Sequence, residues 1–164
     1  MPDVVDAATR SRMMAGIRGK DTKPEMLLRR GLHARGLRYR LHDGRLPGRP
    51  DMVFPARRAV LFVHGCFWHG HDCPLFRLPS TRPEFWSAKI ERNREVDARS
   101  AAALSASDWR VGVVWECALE GRGKLPFDPL LDACARWVAG DERRLEIRGV
   151  FDPASPAILK APRA

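Results

Sequence analysis

Apolar positions along this chain switch repeatedly between helical and strand periodicity. In "DTKPEMLLRRGLHARG" (21–36), Met26, Leu27 and Leu32 form a stripe at helical spacing. Thr22 suits the N-cap, Pro24 is tolerated in the first turn, and Gly36 ends the helix. "LRYRL" is a short strand candidate, and "HDGRLPGRP" carries turn chemistry. Strands follow at 51–54 ("DMVF") and 59–64 ("AVLFVH"), joined by "PARR". The second is apolar on both faces, as in a strand covered from both sides. "STRPEFWSAKIERNREVDARSAAALSAS" predicts a long helix opened by a Thr81–Glu84 capping box with Pro83 in its first turn. "WRVGVVWE" (109–116) predicts another buried strand, and "DPLLDACARWVAG" a final amphipathic helix.

This order (helix, three strands, helix, strand, helix) predicts an α/β sandwich with a mixed central sheet flanked by helices. Residues 21–150 form one domain of ordinary size. The polar, basic residues 1–20 read as an arm, and the Pro/Ala-rich residues 151–164 as a frayed tail.

Charge narrows the partner. The 29 Lys and Arg outweigh 20 acids, for a net charge of +9 and a pI near 10.2. A basic surface can be merely solvated, but an arginine-rich one favours phosphate and hence nucleic acid. No apolar run approaches the ~20 residues of a membrane span. The first residues lack a signal-peptide layout, so a cytoplasmic, nucleoid-associated protein with reduced thiols is expected.

Candidate chemistry concentrates in "VLFVHGCFWHGHDC" (60–73). Cys66, His71 and Cys73 lie close enough to wrap one ion, and Cys117, just beyond "VVWE", can supply a fourth ligand. The set Cys3His suits structural Zn²⁺. The alternative is that each cysteine is a small buried hydrophobe, the reading favoured for Cys134. His64 and His69 remain outside the metal set, and each taken alone reads as a satisfied structural histidine.

If "PARR" is a four-residue hairpin connection, Asp51 lies opposite Phe62, and Asp51 and His64 share a face as diagonal neighbours ~7–8 Å apart. A carboxylate is the hard ligand that Mg²⁺ prefers, and imidazole serves as acid or base near neutral pH. Glu25 has two readings: the capping residue of Thr22-x-x-Glu25, or a second acid aimed at the strands. Trp86, Lys89, Asn93 and Asp97 fall on one stripe of the long helix, which is either a solvated face with a core tryptophan or a working surface.

"ATRSRMM", "LPGRPD", "HGCFWHGHDC", "TRPEFW" and "VVWECAL" followed by "GR" together resemble the very-short-patch repair (Vsr) endonucleases, relatives of the PD-(D/E)XK restriction endonucleases. The likeness runs in order from about Ala8 to Trp137. It implies a restriction-endonuclease-like three-layer fold and an expected monomer. The implied activity is a Mg²⁺-dependent nick 5′ to the thymine of a T:G mismatch left by deamination of 5-methylcytosine. Double-stranded DNA bearing that mismatch is the implied substrate, with other mismatch-repair proteins as a partner class.

By the same resemblance, Asp51 and the main-chain carbonyl of Val63 hold Mg²⁺, His69 activates the attacking water, and His64 assists at the phosphate. Cys66, His71, Cys73 and Cys117 match the zinc ligands. Phe67, Trp68 and Trp86 match an intercalating wedge, which suits apolar side chains able to unstack a weakened base step. Lys89 and Asn93 match base-edge readers, Met14 an arm residue that contacts the mismatch, and Asp97 a support for a catalytic histidine. Val63 replaces a threonine of the family, a small departure where only the carbonyl coordinates. Gly70 and Asp72 interrupt a histidine run. The rival reading is a non-catalytic, zinc-braced module for distorted duplex, which leaves Asp51 and His69 without a task.

Overall fold

A computed structural model describes residues 20–151. The expected arm, apart from Lys20 but including Met14, lies outside them, as does the chain beyond Phe151.

Helix α1 (Lys23–Ala34) starts where expected: the Thr22 side chain accepts the Glu25 N–H at 3.4 Å. Its buried stripe is Glu25, Leu28 and Leu32, while Leu27 is exposed. The helix is therefore rotated relative to the expected Met26/Leu27 phase. The "LRYRL" strand shrinks to β1 (Arg40–Leu41), because the turn that follows begins at once. Strand β2 (Met52–Phe54) and β3 (Ala59–His64) are joined through a 3-10 turn at Pro55–Arg57, closed by Arg58 in the left-handed region.

Helix α2 (Pro83–Ala106) begins from Arg82, itself at φ 54, and not from a Thr81 cap. The proline at its first position fixes the start of the helix. Strand β4 (Arg110–Trp115) leads directly into the one-turn helix α3 (Glu116–Leu119), and helix α4 (Phe127–Ala139) follows. That helix is not the last element. A strand β5 (Arg144–Ile147) comes after it, too short and too exposed to be visible in the hydrophobic pattern.

The five strands lie in chain order. β1–β2–β3 are antiparallel, and β3–β4–β5 are parallel, giving the expected mixed sheet. One face packs on α1 and α4 through Leu28, Leu61, Val114, Leu131 and Trp137. The other packs on α2 through Val53, Val60, Phe62, Leu104 and Val111. Alternation along β2 and β3 thus sends opposite faces into two separate cores, which is why "AVLFVH" is apolar throughout. Cys134 belongs to the first core and is fully buried. Among the described residues, no helix is long and apolar enough to cross a membrane.

Candidate functional site

The hairpin register sets the site. Met52 pairs with Leu61, Val53 with Val60 and Phe54 with Ala59. Continued by one residue, this pairing sets Asp51 across from Phe62, on the α2 side of the sheet with His64 two positions further on. The Asp51 Oδ2 accepts the Val63 N–H at 2.7 Å. Burial pushes the Asp51 carboxyl up to about 7, the neighbouring Glu25 adds to the rise, and the Val63 N–H opposes it. A buried carboxyl beside a second acid is a place where a divalent cation lowers the energy. A hard oxygen ligand suits Mg²⁺.

His64 ends β3, opposite Trp115 of β4. Its ring lies flat on that of His69, with centroids 3.9 Å apart and planes at 8°. Burial and the nearby His69 push His64 down to about 3, so it is neutral at physiological pH. His69 Nδ1 donates to Asp97 Oδ2 in a short hydrogen bond from loop to α2. With Nδ1 engaged, Nε2 is the nitrogen left for proton transfer. Asp51, His64, His69 and Asp97 all open onto a cleft of about 1270 Å³ whose walls also carry Lys20, Arg49 and Arg94.

Glu25 closes the start of α1 through Asp21 and not through the N-cap Thr22, and its other oxygen lies toward the hairpin. Its Oε1 accepts the Asp21 N–H at 3.0 Å, one residue before the cap, and its Oε2 faces Arg29 at 2.8 Å and His42 Nε2 at 2.7 Å. It is 2% exposed. His42 is a site residue that pattern reasoning missed, because it sits in a segment read only as a turn.

Cys66, His71, Cys73 and Cys117 are all buried, with ligand atoms within 4.8 Å of one another. The cysteines are free thiols, and His71 Nδ1 stands 3.5 Å from Cys66 Sγ and 3.6 Å from Cys117 Sγ. Hydrogen bonding from Cys117 draws Cys73 far below the ordinary thiol range while Cys66 is driven far above it, so the three sulfurs compete for protons. Three crowded sulfurs and one inward imidazole nitrogen are the donor set of a structural zinc site.

Residues around this cluster were not legible in the sequence. Gly149, just past β5, donates its N–H to Cys117 Sγ at 3.2 Å, and a Cβ there would run into the Cys117 carbonyl. Glu116 Oε1 accepts the Cys66 N–H at 3.0 Å, and Arg148 pairs with Asp72 at 2.7 Å. Phe151, assigned to the tail by composition, packs against the cysteines. Gly70, at φ +58 and tight against Ile90, lets the loop turn back after His69.

Phe67, Trp68 and Trp86 gather into one half-buried group. Their ring centroids are 5.0 to 5.9 Å apart, all in edge-on arrangements. Asn93 Nδ2 donates to the Trp68 carbonyl at 2.8 Å, tying the loop to α2. Lys89 is exposed on the same helix. The stripe read from the sequence therefore faces the metal loop at Trp86, Asn93 and Asp97.

Residues 2–75 match the family model "DNA mismatch endonuclease Vsr". The chain is 47% identical over 147 residues to the DNA mismatch endonuclease Vsr of Escherichia coli K12, covering 90% of this chain and 94% of that protein. It is 53% identical over 125 residues to the type II nicking enzyme V.XorIIP of Xanthomonas oryzae pv. oryzae, covering 76% of this chain and 92% of that one. It is 41% identical over 122 residues to the type II nicking enzyme V.NmeAIP of Neisseria meningitidis, covering 74% and 87%.

Proposed function

Since the chain belongs to the Vsr family of DNA mismatch endonucleases, a family of nicking enzymes for mismatched DNA, we propose that it cuts one strand 5′ to the thymine of a T:G mismatch. The substrate is the lesion left by deamination of 5-methylcytosine. The observation that carries this reading is the His69–Asp97 pair, which faces the same cleft as Asp51 and His64. A module that only bound DNA would need that pair only as a tie from loop to helix, and would leave Asp51 and the free Nε2 of His69 without a task.

Asp51 and the Val63 carbonyl would hold Mg²⁺, which, when bound, supplies positive charge at the scissile phosphate. His69 takes a proton from the attacking water through Nε2, and Asp97 steadies the imidazolium. As the new P–O bond forms, the bond to the leaving sugar oxygen breaks, and that oxygen takes a proton from water in the open cleft. His64, neutral at working pH, offers an N–H to a phosphate oxygen. Glu25 lies beside Asp51 as the second acid of the site.

Cys66, His71, Cys73 and Cys117 would hold Zn²⁺ and brace the loop that carries the aromatics. Phe67, Trp68 and Trp86 enter the base stack at the mismatch, where unstacking costs least. Lys89 and Asn93 read base edges. Asn93 spends one amide N–H on the Trp68 carbonyl and keeps the other N–H and its carbonyl oxygen for DNA.

The test is nicking of end-labelled duplexes carrying T:G, T:A or C:G at one position in varied flanks, with and without Mg²⁺. The expected product is a single cut 5′ to the mismatched thymine, only with the metal. Equal cutting of T:A, or cutting of both strands, contradicts the proposal.

A further inference from the structure

His42 follows β1 in a turn that holds it at φ 46, a region that side chains with a Cβ rarely adopt. Its main-chain N–H donates to the Asp51 carbonyl at 3.3 Å, so the turn is latched to the strand end that carries the candidate metal ligand. From there the imidazole points into the site. Nε2 lies 2.7 Å from Glu25 Oε2 and 3.9 Å from Asp51 Oδ1. Glu25 comes from α1, and Arg29 and the Asp21 N–H hold it from that helix's own side. His42 is therefore a polar tie between α1 and the hairpin, beside the packing of Leu28 and Leu32 on β2 and β3, and it engages the two acids at the point where they meet.

Two adjacent carboxylates repel each other, and a cation that binds them needs a fixed separation. Arg29 neutralises Glu25 but belongs to the same helix, so it cannot register Glu25 against Asp51. His42 can, because its backbone is fixed to Asp51 and its ring to Glu25. We propose that His42 is a positioning residue for the nicking reaction. By donating from Nε2 to Glu25 it sets the spacing of the Glu25–Asp51 pair, and with it the affinity of the site for its divalent cation. The inference rests on the reading of Asp51 as a metal ligand.

Partners that orient a metal site's ligands commonly change its affinity by about 10- to 100-fold when removed. The test compares wild type, His42→Ala, His42→Gln and Asp51→Ala, each zinc-loaded and shown folded by thermal melting. Mn²⁺ binding to the DNA-free protein is followed by electron paramagnetic resonance, and the Mg²⁺ dependence of single-turnover nicking is measured in parallel. His42→Ala should bind T:G duplex as wild type does, yet weaken Mn²⁺ about tenfold or more and shift the Mg²⁺ midpoint to match. His42→Gln keeps an N–H donor at similar reach and should recover most of both.

Unchanged Mn²⁺ affinity and Mg²⁺ midpoint in His42→Ala would overturn the inference, as would a folded His42→Gln no better than His42→Ala. If His42→Ala does not fold, His42→Gln decides alone: near wild-type Mn²⁺ affinity supports the proposal, and a tenfold loss defeats it. Asp51→Ala separates the two levels. Wild-type Mn²⁺ affinity there defeats the metal-site reading and this inference together, whereas a lost site in Asp51→Ala beside a normal His42→Ala defeats the inference alone.

Discussion

The indole of Trp115 lies flat on the imidazole of His71, with ring centroids 3.9 Å apart and planes at 9°. The same indole meets His64 edge-on at 5.2 Å, and its Nε1 donates to Glu146 of β5 at 3.2 Å. One side chain thus forms a wall shared by the cysteine cluster and the histidine pair. The loop from His64 to Cys73 carries both sites within ten residues, so disturbance of one is transmitted to the other through packing.

Zinc binding is accordingly expected to be folding energy. Chelation should lower the melting temperature, shift the tryptophan emission through Trp115, and abolish nicking together with mismatch binding. Cys66→Ala should lose metal and soluble folded protein together. A folded Cys66→Ala, Cys117→Ala double variant that retains stoichiometric zinc would contradict this.

Asp51 should be a liability to the metal-free fold. Its carboxyl is raised to about 7 in the folded state from an ordinary 3.8, chiefly by burial. The folded protein therefore holds a proton that the unfolded chain releases, so stability is lost as pH rises from about 4 to about 7. Asp51→Asn removes that cost. In the absence of divalent cations it should be more stable than wild type near pH 7.5, by about 2–4 kcal/mol for a shift of this size, with the difference vanishing near pH 4. Chemical denaturation across that range measures it, and a less stable Asp51→Asn at pH 7.5 refutes it.

What the sequence disclosed, and what it hid, follows from range. The Asp51–His64 relation was legible because a four-residue connection pins the hairpin register, and alternation does the rest. The cluster was legible because three ligands lie in one loop and the fourth comes two residues after a buried strand, in the helical turn that follows it. Strand β5 was not, since "RLEI" is short, half charged and alternately exposed. With it went the contacts of Gly149 and Trp115–Glu146. His42 was hidden because a left-handed histidine in a turn gains meaning only when α1 folds over it. The α1 phase was misread because Leu27 and Leu28 are equally apolar, and the sheet alone decides which turns inward.

Asp97 should act through His69. Asp97→Asn keeps the shape of the side chain but presents a neutral amide to Nδ1, disfavouring both the useful tautomer and the imidazolium. Nicking should fall roughly 100-fold or more, the scale of a lost general base, while T:G duplex affinity changes little. Near wild-type single-turnover rates in Asp97→Asn would remove His69 from the role of base.

The aromatic group should act on the distortion of DNA and not on bonds. Trp68→Ala should lose about 1–3 kcal/mol of stacking, a factor of roughly 5 to 150 at 298 K. The loss should be concentrated on mismatched duplex, because only there is insertion cheap. Arginine–phosphate contacts weaken matched and mismatched binding alike and set the salt slope. Titration of both duplexes at several salt concentrations distinguishes the two. A collapsed T:G preference at constant salt slope supports the wedge, and an unchanged preference returns Trp68 to a packing role.

The central claim is that Asp51 and His69 perform the chemistry while the aromatics and basic residues perform recognition. Single-turnover nicking and equilibrium binding of one T:G duplex, measured side by side for wild type, Asp51→Ala and His69→Ala, test it most directly. The account predicts that both variants bind with affinity equal to wild type, or tighter for Asp51→Ala because a negative charge near phosphate is gone, and that neither cuts. Either variant nicking at close to the wild-type rate would show that the active site lies elsewhere.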